Sequence, residues 1–209
     1  MRYEIKYAVE CLGFEEILAR LLSHPASFRE LFPDRIINNV YLDTPEFHCF
    51  HQNVEGQPRR KKMRLRWYGD QVSIPKKCTL EIKNKHHELG WKESFQLEDA
   101  TIKNESDLIE TIDSLGIFHT DLAPVLFNSY LRSYYISADG LFRVTIDRNQ
   151  RFAFPFTDMM PLVIDEFPNV VELKFEKEDE DRAKDVLDYM PFRQTKNSKY
   201  TNGVVYLYR

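Results

Sequence analysis

Long stretches of the chain alternate between polar and apolar residues with a period of two, which confines them to β-strands with two unlike faces. In residues 62–68, Lys62, Arg64, Arg66 and Tyr68 share one face, while Met63, Leu65 and Trp67 share the other. Thr79, Glu81 and Lys83 oppose Leu80 and Ile82, and Lys92, Ser94 and Gln96 oppose Trp91, Phe95 and Leu97. Tyr130, Arg132 and Tyr134 line up. Arg143, Thr145 and Asp147 oppose Phe142, Val144 and Ile146, and Glu172 and Lys174 oppose Val171, Leu173 and Phe175. At the N-terminus, Arg2, Glu4 and Lys6 oppose Tyr3, Ile5 and Tyr7.

The pattern places strands at about residues 2–9, 36–43, 61–69, 77–85, 91–98, 127–137, 141–148 and 169–177, punctuated by turns at residues 68–70, 88–90 and 138–140. The Asp139-Gly140 pair is a strong hairpin signal. Helical spacing replaces the alternation in three segments. Phe14, Ile17, Leu18, Leu21 and Leu22 form the first; Leu108, Ile109, Ile112 and Leu115, started by Asn104 or Ser106 and stopped by Gly116, form the second. The third runs over residues 179–190 through Ala183, Val186 and Leu187 to a stop at Pro191. The expected fold is mainly β: a single domain over residues 1–209, built as a closed eight-stranded antiparallel barrel with amphipathic helices packed outside.

Polar strand faces ordinarily meet water. Here they carry Arg and Lys at strand centres, although the formal net charge of the chain is −4. If those faces turn inward, each like-charge pair at about 7 Å costs about 2 kcal/mol at an effective dielectric near 20. An anion of high charge density then becomes the natural occupant. Phosphate chains suit such a lumen, because Arg forks pair with phosphate oxygens bidentately and Lys supplies point charges.

The acidic balance argues against nucleic acid as the ligand, and Arg59 and Arg60 are read as a solvated loop rather than as part of a basic patch. Cys11, Cys49 and Cys78 include no CxxC pair, and reduced thiols are expected. The histidines His24, His48, His51, His86, His87 and His119 lack metal-ligand spacing. No apolar run approaches the length needed to span a bilayer and the N-terminus has no signal architecture, so a cytoplasmic protein is expected.

The fragments RYEIKY, VYLDTPE, MRLRWYG, LEIKNK, GWKESF, SYLRSYY, FRVTID, VVELKF and TKNSKY occur in the order of the VTC domain. The whole chain resembles that domain, the polyphosphate-polymerase branch of the triphosphate tunnel metalloenzymes related to the CYTH proteins. MRLRWYG and the terminal KNSKY are the most specific pieces. The resemblance implies an eight-stranded tunnel that binds ATP, triphosphate or polyphosphate with Mn2+ or Mg2+ and transfers the γ-phosphate of ATP to a polyphosphate chain. Lys6, Arg64, Arg66, Lys83, Lys92, Arg132, Arg143, Lys196 and Lys199 are implied phosphate ligands, Tyr130 and Ser198 hydroxyl donors, and Glu172 the metal-binding carboxylate, with Glu4 and Glu81 as candidate supplements. Of these, Arg64, Arg66, Lys83 and Lys199 are the implied catalytic set. Lys196, Ser198 and Lys199 rest on the resemblance alone, the other reading being a solvated C-terminal loop.

The sequence departs from the ExExK start of hydrolases and cyclases of the wider superfamily, since Arg2 stands in the first acidic position. That favours the polymerase branch. A triphosphate hydrolase and a non-catalytic polyphosphate-binding module remain the alternatives. No membrane segment follows the KNSKY motif, so coupling to a membrane would require a separate partner.

Overall fold

The computed structural model describes residues 2–87, 89–117, 121–156 and 167–209. Its strands are β1 (Arg2–Val9), β2 (Arg29–Asp43), β3 (Arg59–Tyr68), β4 (Cys78–His86), β5 (Leu89–Leu97), β6 (Ala123–Ile136), β7 (Arg143–Ala153) and β8 (Asn169–Glu176). Its helices are α1 (Phe14–Leu22), α2 (His48–Val54), α3 (Glu105–Asp113), α4 (Glu180–Asp188) and α5 (Lys199–Leu207). The strands form one eight-stranded antiparallel sheet in the order β1-β8-β7-β6-β2-β3-β4-β5.

The order leaves β1 and β5 at its two ends, and no ladder joins them among the described residues. The expected closed barrel is corrected accordingly: the strand count and antiparallel sense hold, and closure does not. The terminal strand β5 is exposed at Lys92 and Glu93, and charges of this kind on an edge strand discourage further pairing.

The chain divides into two compact units, one comprising Met1–Arg35, Tyr130–Gln150 and Ile164–Asn197, the other Ile36–Ser129, Arg151–Val163 and Ser198–Arg209. In the first unit the alternation does what the sequence predicts. Tyr7, Val9, Val144, Ile146, Val171, Leu173 and Phe175 form one apolar face, covered by Ile17 and Leu21 of α1 and by Ala183 and Val186 of α4. The Asp139-Gly140 turn joins β6 to β7: Gly140 has φ +78°, and the Ser137 amide donates to the Phe142 carbonyl at 2.9 Å.

In the second unit Met63, Leu65, Trp67, Leu80 and Ile82 are buried, and the rings of Trp67 and Phe127 lie 6.0 Å apart. Asn104 caps α3 as expected, its side chain accepting from the Asp107 amide at 2.9 Å. Of the turn expected at residues 88–90, Glu88 lies outside the described residues, and Leu89 and Gly90 already belong to β5.

Two helices are absent from the sequence reading. Helix α2 is short, and its first turn is capped from a distance by Asp43, whose carboxylate accepts from the Cys49 amide at 2.8 Å and the Phe50 amide at 2.9 Å. Helix α5 packs through Tyr200, Gly203 and Val204. Tyr200 stacks on Tyr41 with centroids 5.0 Å apart and donates a short hydrogen bond to the Asp43 carboxylate, itself fully buried. Burial and that carboxylate push the Tyr200 phenol well above its ordinary pKa. No helix among the described residues is long and apolar enough to cross a membrane. Cys11, Cys49 and Cys78 are free thiols.

Gly203 is where α5 approaches the sheet: a Cβ there would stand 2.5 Å from Phe152 Cδ1 and 2.6 Å from Leu126 Cδ2. Overpacking of this kind costs about 1–3 kcal/mol. Gly203→Ala is therefore expected to lower the urea midpoint by a corresponding amount without changing the denaturant slope, whereas an unaltered midpoint would contradict the packing of α5.

Candidate functional site

Antiparallel pairing in the second unit sets the polar residues of four strands in cross-strand rows. One row is Asn39–Arg66–Thr79–Gln96 and the next is Tyr41–Arg64–Glu81–Ser94. A third row places Lys62, Lys83 and Lys92 directly opposite one another. Like charges in such positions destabilise a sheet, so the row is unfavourable unless a counter-charge is near.

Glu81 supplies counter-charge to Lys92 in this row and to the two arginines beside it. Its Oε2 accepts from Arg64 Nε at 2.8 Å and lies 3.5 Å from Arg66 Nη1, and its Oε1 accepts from Lys92 Nζ at 2.8 Å. Burial alone would raise the Glu81 pKa, but Arg64, Arg66 and Lys92 outweigh it and bring it down to about 2. The two arginines are also held by neutral groups: Arg66 Nε donates to Asn39 Oδ1 at 2.9 Å, and Arg64 Nη1 to the Tyr41 hydroxyl at 3.3 Å. Along this face runs a depression of about 500 Å³, lined by Arg66, Tyr68, Thr79, Glu81, Lys92 and Ser94 among others.

The start of α5 belongs to the same unit. Ser198 is its N-cap, accepting from the Thr201 amide at 3.2 Å, and its hydroxyl also accepts from Lys62 Nζ at 2.8 Å. Lys199, in the first turn, is only 9 % exposed. The solvated-loop reading therefore fails for Ser198 and Lys199, which begin a packed helix. Lys196 is exposed.

The first unit has a different balance of charge. Register places Lys6 opposite Glu172 and Glu172 opposite Thr145, with Glu4–Lys174–Arg143 in the adjoining row. Glu172, 5 % exposed, presents Oε1 to Lys6 Nζ at 3.1 Å and Oε2 to Lys174 Nζ at 2.8 Å and Arg132 Nη2 at 3.6 Å. Lys6 Nζ also lies 3.2 Å from Glu4 Oε1. Burial works against the Lys6 charge, but Glu172 and Glu4 outweigh it and raise the pKa of the ammonium. Arg132 grips the fully buried Asp147 through two parallel hydrogen bonds of 2.5 and 2.7 Å and stands 5.3 Å from the centre of the Tyr130 ring. Burial opposes its charge too, and Asp147 more than offsets that, raising its pKa. Arg143 is exposed.

Apart from Glu4 and Glu81, the twelve residues singled out from the sequence thus fall into two sets. Arg64, Arg66, Lys83, Lys92, Ser198 and Lys199 belong to the second unit, and Lys6, Tyr130, Arg132, Arg143, Glu172 and Lys196 to the first. Lys62, Lys174 and Asp147 were not singled out, although each lies on a polar face that the alternation already defines. Their omission has a simple cause, since alternation assigns a face but not the partner across it.

Among the described residues no group of three or more His, Cys, Asp or Glu side chains is arranged to hold a metal ion. The donor set nonetheless suits a hard cation as a two-point anchor. Oxygens of Glu172 and Glu4 already flank one positive charge, the Lys6 ammonium, at 3.1 and 3.2 Å. Any further ligands would come from phosphate oxygens and water.

A profile of the VTC domain matches residues 1–208, and the chain belongs to the VTC domain family. Solved structures share its fold at low sequence identity. A candidate adenylate cyclase from Vibrio parahaemolyticus superposes with a TM-score of 0.56 at 14 % identity, covering 94 % of each chain. Another from Bacillus halodurans gives 0.52 at 14 % identity, covering 95 % of this chain and 94 % of that one. A protein from Pyrococcus horikoshii gives 0.50 at 13 % identity, covering 98 % and 96 %. Among curated proteins there is no significant sequence match.

A carboxylate whose pKa is depressed on folding contributes stability that is fully present above its unfolded pKa and lost as pH falls through its folded one. For Glu81 that window runs from about 4.5 down to about 2. In an NMR titration its carboxyl carbon is expected to stay ionised until the pH nears 2. Glu81→Gln should lower stability near neutrality and flatten the pH dependence within that window. A midpoint at the ordinary glutamate value would contradict the ion-pair geometry.

Proposed function

We propose that this protein binds a triphosphate or polyphosphate chain together with a divalent cation and, as an ATP-dependent polyphosphate polymerase, transfers the γ-phosphate of ATP to the growing chain. The carrying observation is the face of β3, β4 and β5, where Lys62, Arg64, Arg66, Lys83 and Lys92 stand in adjoining cross-strand rows and three of them pair with Glu81. Such a face calls for a polyanion, and a linear phosphate chain offers both the charge density and the oxygen geometry that Arg forks match. Membership of the VTC domain family supports the same ligand class.

Phosphoryl transfer asks for positioning and charge stabilisation more than for covalent chemistry by the protein. In this reading Arg64 and Arg66 exchange part of their contact with Glu81 for phosphate oxygens, and Lys83 and Lys92 neutralise the chain alongside them. Ser198 and Lys199 present a hydroxyl and an ammonium at the start of α5, and Lys196 adds an exposed charge. Lys6, Tyr130, Arg132 and Arg143 supply the phosphate contacts of the first unit. Glu172, with Glu4 beside it, would hold Mn2+ or Mg2+, whose chemistry there is to neutralise charge on the phosphate oxygens. ATP is the donor, no nucleic acid takes part, and the site of action is cytoplasmic.

Pure protein incubated with ATP and Mn2+ is expected to lengthen polyphosphate chains, read on gels. Release of free phosphate alone would instead identify a triphosphate hydrolase, and tight binding without turnover under any divalent metal a binding module. Saturating tripolyphosphate should raise the melting temperature markedly, because a ligand that binds only the folded state stabilises it. Arg66→Ala should diminish that rise, and Glu172→Ala should abolish metal-dependent turnover. A melting curve indifferent to tripolyphosphate would refute the proposal.

A further inference from the structure

Thr145 lies at the centre of the polar face of the first unit. It pairs in register with Glu172, which pairs with Lys6, so the three side chains share one cross-strand row. Directly opposite residues in such a row hold their Cβ atoms about 4.5–5.5 Å apart. On one side the next pair is Arg143 with Lys174, and on the other Asp147 holds the Arg132 fork. Thr145 is only 7 % exposed, yet its Oγ1 has no hydrogen-bond partner among the described residues.

Buried hydroxyls are nearly always paired, and one that is not is costly to keep. The neighbouring Glu172 carboxylate, which faces Lys6, Lys174 and Arg132, does not relieve it. Valine has the same shape and an equal or better fit to a strand, without an oxygen to satisfy. A hydroxyl here therefore points to a partner that arrives with the ligand. Lys6, Lys174 and Arg132 all lie within 3.6 Å of Glu172, so an oxyanion arriving beside it meets cations as well as carboxylates, and a threonine hydroxyl can rotate to donate to it.

We infer that Thr145 is a ligand-contacting residue, its hydroxyl donating a hydrogen bond to a phosphate oxygen of the triphosphate or polyphosphate chain beside Glu172. The inference rests on the function proposed above and assigns a specific contact within it. It requires no bond to break: the phosphate oxygen accepts the hydrogen bond while Lys6, Lys174 and Arg132 balance its charge.

Titration calorimetry of the full chain with tripolyphosphate, in EDTA and in Mn2+, tests it with Thr145→Val and Thr145→Ser. Thr145→Val is expected to bind about tenfold more weakly in both buffers, and Thr145→Ser to stay within about threefold of the unsubstituted protein. Without ligand, Thr145→Val should melt at or above the unsubstituted protein, because it loses no hydrogen bond. A hydroxyl with a merely structural role would show the reverse, a lower ligand-free melting temperature with affinity retained. Unchanged affinity in Thr145→Val would overturn the inference while leaving the proposed function standing. Weakening confined to the Mn2+ buffer would also overturn it, by moving the contact to the metal. Failure of the unsubstituted protein to bind tripolyphosphate would overturn both.

Discussion

The cationic face of the second unit depends on the ion pairs that the buried Glu81 carboxylate makes with Arg64, Arg66 and Lys92. Lys62, Lys83 and Lys92 face one another across three strands, and Arg64 and Arg66 stand beside them. Like charges directly opposite one another on neighbouring strands destabilise a sheet. Glu81 offsets part of that through its contacts with Arg64, Arg66 and Lys92. Asn39 and Tyr41 orient the arginines without adding charge. A face arranged in this way is stable enough to fold and still gains from an anion, which is the condition a phosphate-binding surface has to meet.

The first unit solves a different problem. Glu4, Asp147 and Glu172 are interleaved with Lys6, Arg132 and Lys174, so charge is nearly balanced before any ligand arrives. In the function proposed above, balance of this sort would suit a metal and a phosphate arriving together, the carboxylates holding the one and the cations the other. Asp147 fixes the Arg132 fork from beneath, which limits how that guanidinium can turn. Bidentate pairing thus fixes the guanidinium while consuming part of its hydrogen-bonding capacity.

Most of the sheet was legible because period-2 alternation is a local signal that survives in a single sequence. All of the proposed strands and the three helices over Phe14–Leu22, Glu105–Asp113 and Glu180–Asp188 are present. The extension of β2 back to Arg29 was not legible, because residues 29–35 contain Pro33 and are largely exposed. Helix α2 is too short to show a period, and it depends on Asp43, which precedes it in the chain, for its cap. Helix α5 did carry a signal, with Tyr200, Gly203, Val204 and Leu207 at helical spacing after the Ser198 cap. Gly203 and the β-branched Thr201, Val204 and Val205 lower its intrinsic propensity and obscured it. Within the site, the faces were readable, whereas the pairs Arg64–Glu81 and Arg132–Asp147 were not. Those depend on register across strands, and only the fold sets it.

The central claim is that the cations around Glu81 form a phosphate-binding surface. The most direct measurement is a crystal structure of the protein with tripolyphosphate and Mn2+, with the metal located by anomalous scattering. The account predicts phosphate oxygens on Arg64 and Arg66, with one or both arginines turned from Glu81, and a metal peak at Glu172. Phosphate density elsewhere on the protein, with the contacts of Arg64, Arg66 and Lys92 to Glu81 intact, would contradict it.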